Sequence, residues 1–128
     1  MPESNTIIVA DLEAGIGTLT RLPEGSVDTT LVIVEPTPRS IDVGQRAVLV
    51  ANERKQGNVI IVANKIVDDQ DTARVQAAFA EHDVLTVPAD PIVVAADRQG
   101  ASPIDIDPNA PAIAAVGEIA TRIGLNGA

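Results

Sequence analysis

The chain has 128 residues, a length that suits one domain with a single core. It has no cysteine, which excludes disulfides and thiolate metal sites and favours a reducing, cytoplasmic setting. A formal net charge of −9 argues against a general nucleic-acid binder, because phosphate contacts need a basic surface. No apolar run approaches the roughly 20 residues of a membrane span.

The first half of the chain predicts two strands and one long helix. β-Branched residues favour a strand over Thr6–Ala10, followed by a loop or short helix over 15–22. A second strand, Thr29–Val34, is stopped by two prolines. Ser40 then has the character of a helix N-cap, and the helix is expected to run to about Gln56.

The second half repeats the alternation of strands and helices. The predicted strands are Asn58–Ala63 and Val84–Val87, with a helix that opens at Asp68–Asp71 between them. A short helix follows over Ile92–Arg98. The final helix, over about 110–123, is predicted to turn Ile113, Val116, Ala120 and Ile123 inward.

This alternation indicates an α/β fold, because strands joined through helices pair in parallel by right-handed crossovers. We expect a mostly parallel sheet of about four strands with flanking helices, in one domain that covers residues 1–128. The apolar strand runs indicate a sheet that is covered on both faces.

Polar or turn-forming residues follow each predicted strand. Since the carboxyl ends of parallel strands share one edge of a sheet, their loops are expected to line one crevice. An aspartate there can hold magnesium through water, and a glycine amide can face a phosphate oxygen. The alternative is a set of ordinary turns. The residues concerned are Asp11, Gly15, Glu35, Pro36, Asn64, Lys65, Pro88, Ala89 and Asp90.

Asn64 and Lys65 form the most specific of these loops. An asparagine amide offers both a donor and an acceptor to the polar edge of a purine. The aliphatic stem of a lysine can lie along the base while its ammonium group reaches solvent. The other interpretation, an asparagine that turns the chain beside a solvated lysine, stays equally open.

The phosphate-binding sequence Gly-x-x-x-x-Gly-Lys-Ser/Thr is absent from the 128 residues. The two lysines, Lys55 and Lys65, do not follow a glycine and do not precede serine or threonine. A complete triphosphate site therefore cannot be assembled from this sequence.

The order of the strand-end motifs resembles that of the C-terminal half of the MinD/ParA class of deviant P-loop ATPases. Within this class, the motifs look like those of the maturation factors for carbon monoxide dehydrogenase. The similarity runs from Ile7 to Ile123 and is carried by the order of four motifs. These are Asp11-x-Glu13-Ala14-Gly15, Val34-Glu35-Pro36-x-x-Arg39-Ser40, Asn64-Lys65 and Val87-Pro88-Ala89-Asp90.

The resemblance implies a role for each motif in a three-layer, Rossmann-like P-loop fold. Asp11 matches the aspartate near magnesium, and Gly15 matches the switch glycine near the γ-phosphate. Asn64 matches the base-contacting asparagine, with Lys65 beside it. The segment 88–90 (Pro88, Ala89 and Asp90) matches the one that packs along the adenine.

The same resemblance implies what this sequence lacks. In the family's full fold the P-loop strand lies between the strands that match 7–10 and 29–34, so these two must pair directly or receive a strand from another chain. The implied cofactor is ATP or ADP with magnesium, bound weakly or only with a partner. The expected partner is a P-loop-containing half or a second copy, and autonomous ATP hydrolysis is not expected. The alternative is a non-catalytic interaction module that pairs with a complete ATPase or with itself.

Overall fold

The computed structural model describes residues 6–12 and 16–124. Helices and strands alternate over residues 16–99, as the sequence predicts, and two more helices follow. The helices are α1 (Ile16–Arg21), α2 (Pro38–Glu53), α3 (Asp69–Ala78), α4 (Pro91–Gln99), α5 (Pro103–Ile106) and α6 (Pro111–Arg122), and the strands are β1 (Thr29–Val34), β2 (Asn58–Ile66) and β3 (Val84–Pro88).

The strands form one parallel sheet in the order β1-β2-β3, which confirms the α/β fold. Leu31 of β1 lies opposite Ile60, and Leu85 of β3 lies opposite Val62. β2 is therefore central, with β1 and β3 at the two edges. The free edge of β1 meets no strand within the part of the chain that the structure describes.

Helices cover both faces of the sheet and make three layers. On one face, α2 and α3 bury Val34, Ile61 and Phe79 in the larger core cluster. On the other face, α6 packs against β3 and buries Val62 with Ile119. None of the helices within residues 6–12 and 16–124 combines the length and the apolar character needed to cross a membrane.

The predicted strand over Thr6–Ala10 is wrong, so the described sheet has three strands and not four. Ile7, Ile8 and Val9 are 49%, 73% and 77% exposed. β-Branched residues favour extended backbone, but a strand also needs a neighbour for its N–H and C=O groups. The described residues supply no strand beside this segment, nor does it pair directly with β1.

Helix α2 begins before the predicted cap. Thr37 is the N-cap, its side chain accepts a hydrogen bond from the Ser40 N–H at 3.3 Å, and Pro38 occupies the first turn. The Ser40 hydroxyl instead accepts a hydrogen bond from the Glu35 N–H at 2.8 Å. Proline at the start of a helix has no N–H to leave unpaired, which favours this earlier boundary.

Gly44 brings α2 close to the sheet. A Cβ atom at this position would lie 2.4 Å from Cγ1 of Val34 and 3.1 Å from Cζ of Phe79. Real Cβ atoms do not approach so closely, so the helix can reach this depth only with glycine here.

Helix α6 is rotated relative to the predicted orientation. Ala112 and Ile119 are buried, whereas Val116 of the predicted inward stripe is 53% exposed. The helix meets the sheet through a face that is rich in small alanines, which allow a close approach. The prediction followed the larger apolar side chains, whereas the packed face also uses Ala112 and Ala115.

Gln56 is a fully buried polar residue just after α2. Its Oε1 accepts hydrogen bonds from the N–H groups of Ser26 and Val27 at 2.8 and 3.2 Å. Its Nε2 donates to the carbonyl oxygen of Pro23 at 2.8 Å. One side chain thus fixes the turn through which the chain enters β1.

Arg54 attaches α1 to the rest of the fold. Its guanidinium donates to the carbonyl oxygens of Thr20 and Leu22, the latter at 2.9 Å. These carbonyls lie at and beyond the C-terminus of α1, where a cation is favourable. Leu19 is the buried side chain of this helix.

Candidate functional site

The carboxyl ends of β1 and β2 are joined by an ion pair. Nζ of Lys65 lies 3.4 Å from Oε1 of Glu35, and the two side chains are 63% and 47% exposed. Such a solvated pair contributes at most about 1 kcal/mol to stability. Its main effect is to place the lysine ammonium over the end of β1.

Asn64 and Lys65 form an irregularity in β2. The pairing with β3 shifts register between Ala63 and Ile66, and Lys65 has a φ of +59°. This is the left-handed region, which is uncommon for residues with a side chain and often marks a functional segment. Asn64 is half-buried, and its amide makes no hydrogen bond to the described residues. The amide therefore keeps its donors and its acceptor available.

The loop after β3 lies beside this irregularity. The Ala89 N–H donates to the Ile66 carbonyl oxygen at 2.9 Å, and Ile66 pairs with Pro88. Ala89 is exposed. It borders an open hollow of about 560 Å³ that is lined by Ala89, Asp90, Pro91, Val94, Ala95 and Arg98.

Asp90 is occupied by structural hydrogen bonds. It is 8% exposed, Oδ1 accepts from the Ile92 N–H, and Oδ2 accepts from the Ala112 N–H, each at 2.9 Å. The carboxylate therefore caps α4 and also holds the start of α6. An aspartate directly before Pro91 is itself a signal of a helix N-terminus, and this signal could have identified the cap.

Asp11 and Gly15 are not brought into this group by the described structure. Asp11 is exposed and follows the segment that forms no strand, so it does not stand at a strand end. Gly15 lies outside the described residues. Within residues 6–12 and 16–124, no three histidine or acidic side chains are close enough together to hold a metal ion. The magnesium role of Asp11 stays a prediction.

The carboxyl edge of the sheet thus brings together Asn64, Lys65, Pro88 and Ala89, with Glu35 beside Lys65. A free amide, a lysine stem and a short apolar segment can contact a flat, polar-edged ring such as a purine. Sequence reasoning missed the roles of Gln56 and Arg54. Nothing in their sequence context distinguishes them from solvated residues after a helix.

Comparison with known proteins supports the resemblance that the motif order predicts. The chain is 28% identical over 102 residues to the carbon monoxide dehydrogenase accessory protein CooC of Rhodospirillum rubrum, a match that covers 79% of this chain. Its fold is similar to that of the MinD cell division protein of Aquifex aeolicus, with a TM-score of 0.63, 22% identity and 77% of this chain covered. No protein-family model matches the chain.

Each match covers less than half of the relative's own length. The chain spans 39% of the length of the accessory protein and 44% of the MinD chain. Together they show a chain that is similar to part of a MinD/ParA-like protein.

Proposed function

We propose that this chain, being similar to part of a MinD/ParA-like protein, forms the base-binding side of an adenine nucleotide site. The phosphate-binding side would come from residues outside this sequence. The observation that carries this proposal is the unpaired amide of Asn64, held at the carboxyl edge of a parallel sheet. Ligands of open α/β sheets bind at that edge.

The neighbouring groups suit a base more than a phosphate. Asn64 can donate to and accept from the edge of adenine, as asparagine does with adenine in other complexes. Ala89 is exposed beside it, and the Lys65 stem can cover a ring face. Because Asp90 is occupied by Ile92 and Ala112, we assign it the task of holding this segment in place.

The sequence lacks the residues that would bind the phosphates of the nucleotide. The motif that cradles a triphosphate is absent from the 128 residues, and Asp11 is exposed. Magnesium would need further ligands beside Asp11 and the nucleotide, since it prefers six oxygen ligands. We therefore propose weak binding of ATP or ADP by the isolated chain, no hydrolysis, and a cytoplasmic setting where these nucleotides are abundant.

Nuclear magnetic resonance titration of the purified chain with Mg-ATP and Mg-ADP tests this proposal. The amides of residues 64–66 and 88–90 are expected to shift, and Asn64→Ala is expected to weaken binding about tenfold, equivalent to about 1.4 kcal/mol. Asn58→Ala is the matched control, because Asn58 is exposed at the opposite end of the same strand. Equal binding by both variants would contradict the assignment of Asn64.

Hydrolysis is tested separately. The isolated chain is expected to release phosphate from Mg-ATP no faster than buffer without protein does. Magnesium-dependent turnover that Asp11→Ala abolishes would show that the chain carries its own phosphate site. The proposal of a divided site would then be wrong.

A second candidate function is a non-catalytic interaction module that pairs with a complete ATPase or with itself. The free edge of β1 favours it, because an unpaired strand edge readily accepts another strand. Failure of nucleotide binding together with a stable complex would favour this function over the first.

A further inference from the structure

The two edges of the sheet differ in how they are protected. β3 is five residues long and ends in Pro88, and the Arg122–Asp83 ion pair at 2.8 Å lies beside its start. β1 consists of six residues, Thr29–Val34, without a charge or a proline. Charges, prolines and short length are the usual means by which natural sheet edges avoid pairing. β1 has neither a charged residue nor a proline to protect its edge.

β1 is also incompletely covered on one face. Val32 and Val34 point into the larger core, so Ile33 points to the opposite face, because side chains alternate along a strand. On that face α6 packs against β3, at the other edge of the sheet, and Ile33 remains 56% exposed. The β1 edge therefore combines free backbone groups with an exposed apolar side chain.

The same chain contains an apolar segment, residues 6–10, that has no strand to pair with. Ile7, Ile8 and Val9 are β-branched, belong to no strand, and are between 49% and 77% exposed. Consecutive apolar residues suit a strand that is covered on both faces. What this segment lacks is a neighbouring strand.

We propose that residues 6–10 of one copy add to the β1 edge of a second copy, and that the exchange is reciprocal. The resulting dimer would be closed by a two-fold axis, since each copy gives one segment and receives one. This inference deepens the second candidate function and rests on it, but it requires no nucleotide. The occupant is a second copy because every copy contains both the segment and the edge, and the two are not paired with each other within one copy.

Charge predicts an unusual salt dependence for this dimer. Each copy has a net charge of −9, so association brings two acidic bodies together. Salt screens this repulsion, whereas it leaves apolar contacts and backbone pairing in place. The dimer is therefore expected to tighten as the sodium chloride concentration rises, whereas a contact based on ion pairs would weaken.

Sedimentation velocity of the full chain, from low micromolar to about millimolar concentration, tests the proposal. The wild type is expected to dimerise, and Ile8→Lys and Ile33→Lys are each expected to weaken the dimer at least about tenfold. Ile8→Lys alters a segment outside the folded sheet, so it should not affect folding. Leu49→Lys is the control, because Leu49 is an exposed apolar residue (67%) that lies on a helix, α2, and in neither of the two pairing segments.

Three results would overturn the proposal: a monomer at every concentration, a dimer that resists both Ile8→Lys and Ile33→Lys, or a dimer that only Ile33→Lys disrupts. The last would mean that the edge pairs without the segment. Adding Mg-ATP separates the two functions, because the exchanged dimer should form equally with and without it. Loss of nucleotide binding by Asn64→Ala would leave dimerisation unchanged.

Discussion

One buried carboxylate holds two helices at once, since Oδ2 of Asp90 accepts a hydrogen bond from the backbone N–H of Ala112, 22 positions later in the chain, at 2.9 Å. The other oxygen accepts from Ile92 in the first turn of α4. The start of α6 and the loop after β3 are therefore fixed relative to each other by a single side chain.

Asp90→Ala is expected to lower the free energy of unfolding by about 2–4 kcal/mol, because it removes a helix cap and leaves a buried N–H unpaired. Urea denaturation followed by circular dichroism measures this loss. Asp97→Ala is the control, with an exposed side chain on the same helix, and should change stability by less than about 0.5 kcal/mol. Similar values for both would contradict the structural role of Asp90.

Gly44→Ala is expected to destabilise the fold by about 1–3 kcal/mol, because the added methyl group overlaps Val34 and pushes α2 from the sheet. Gly117→Ala is a matched change in α6, where no atom lies within 4 Å of the new Cβ. There the same substitution should stabilise by about 0.5–1 kcal/mol, since alanine favours helix. Thermal unfolding of both variants should therefore give shifts of opposite sign.

Gln56→Leu preserves the approximate volume of the side chain but removes three hydrogen bonds to the turn at residues 23–27. The N–H groups of Ser26 and Val27 lose their acceptor and the carbonyl oxygen of Pro23 loses its donor, so we expect the free energy of unfolding to fall by about 1–3 kcal/mol. Gln76→Leu, on the exposed side of α3, should change stability little. If hydrogen exchange at Ser26 and Val27 is no faster in Gln56→Leu than in the wild type, the assignment fails.

Lys65→Gly should be more stable than Lys65→Ala by about 1 kcal/mol, because glycine adopts positive φ without the Cβ penalty. The same pair of changes at Arg46, inside α2, should give the opposite order. Chemical denaturation of the four variants checks both signs. The Glu35 ion pair is lost equally from both Lys65 variants, so it does not affect the comparison.

Local signals identified most of the fold. Strands β1 to β3 and the long helix α2 follow from apolar runs that are interrupted by prolines and glycines. Residues 6–10 carry the same signal and still form no strand, because pairing depends on a neighbour that composition cannot reveal. The rotation of α6 was missed for a related reason, since the spacing of the large apolar residues indicated one face and packing against β3 uses another.

Some features of the candidate site could likewise be predicted from the sequence, and others could not. That Asn64 and Ala89 share one edge follows from the parallel topology, which the sequence predicts. The left-handed backbone of Lys65 and the double hydrogen bonding of Asp90 are properties of the assembled structure. Asp90 illustrates the difficulty best, because a carboxylate before a helix is suited both to binding a ligand and to capping the helix.

The contacts of Arg54 also bear on local unfolding of the chain. Within the described residues, α1 is held mainly by Leu19 and by the Arg54 guanidinium, while the sheet lies in a separate, larger core. Regions with few buried contacts open at lower free energy than the whole domain. Helix α1 can therefore open away from the domain while the three strands stay folded, so hydrogen exchange in α1 should be faster than in the sheet.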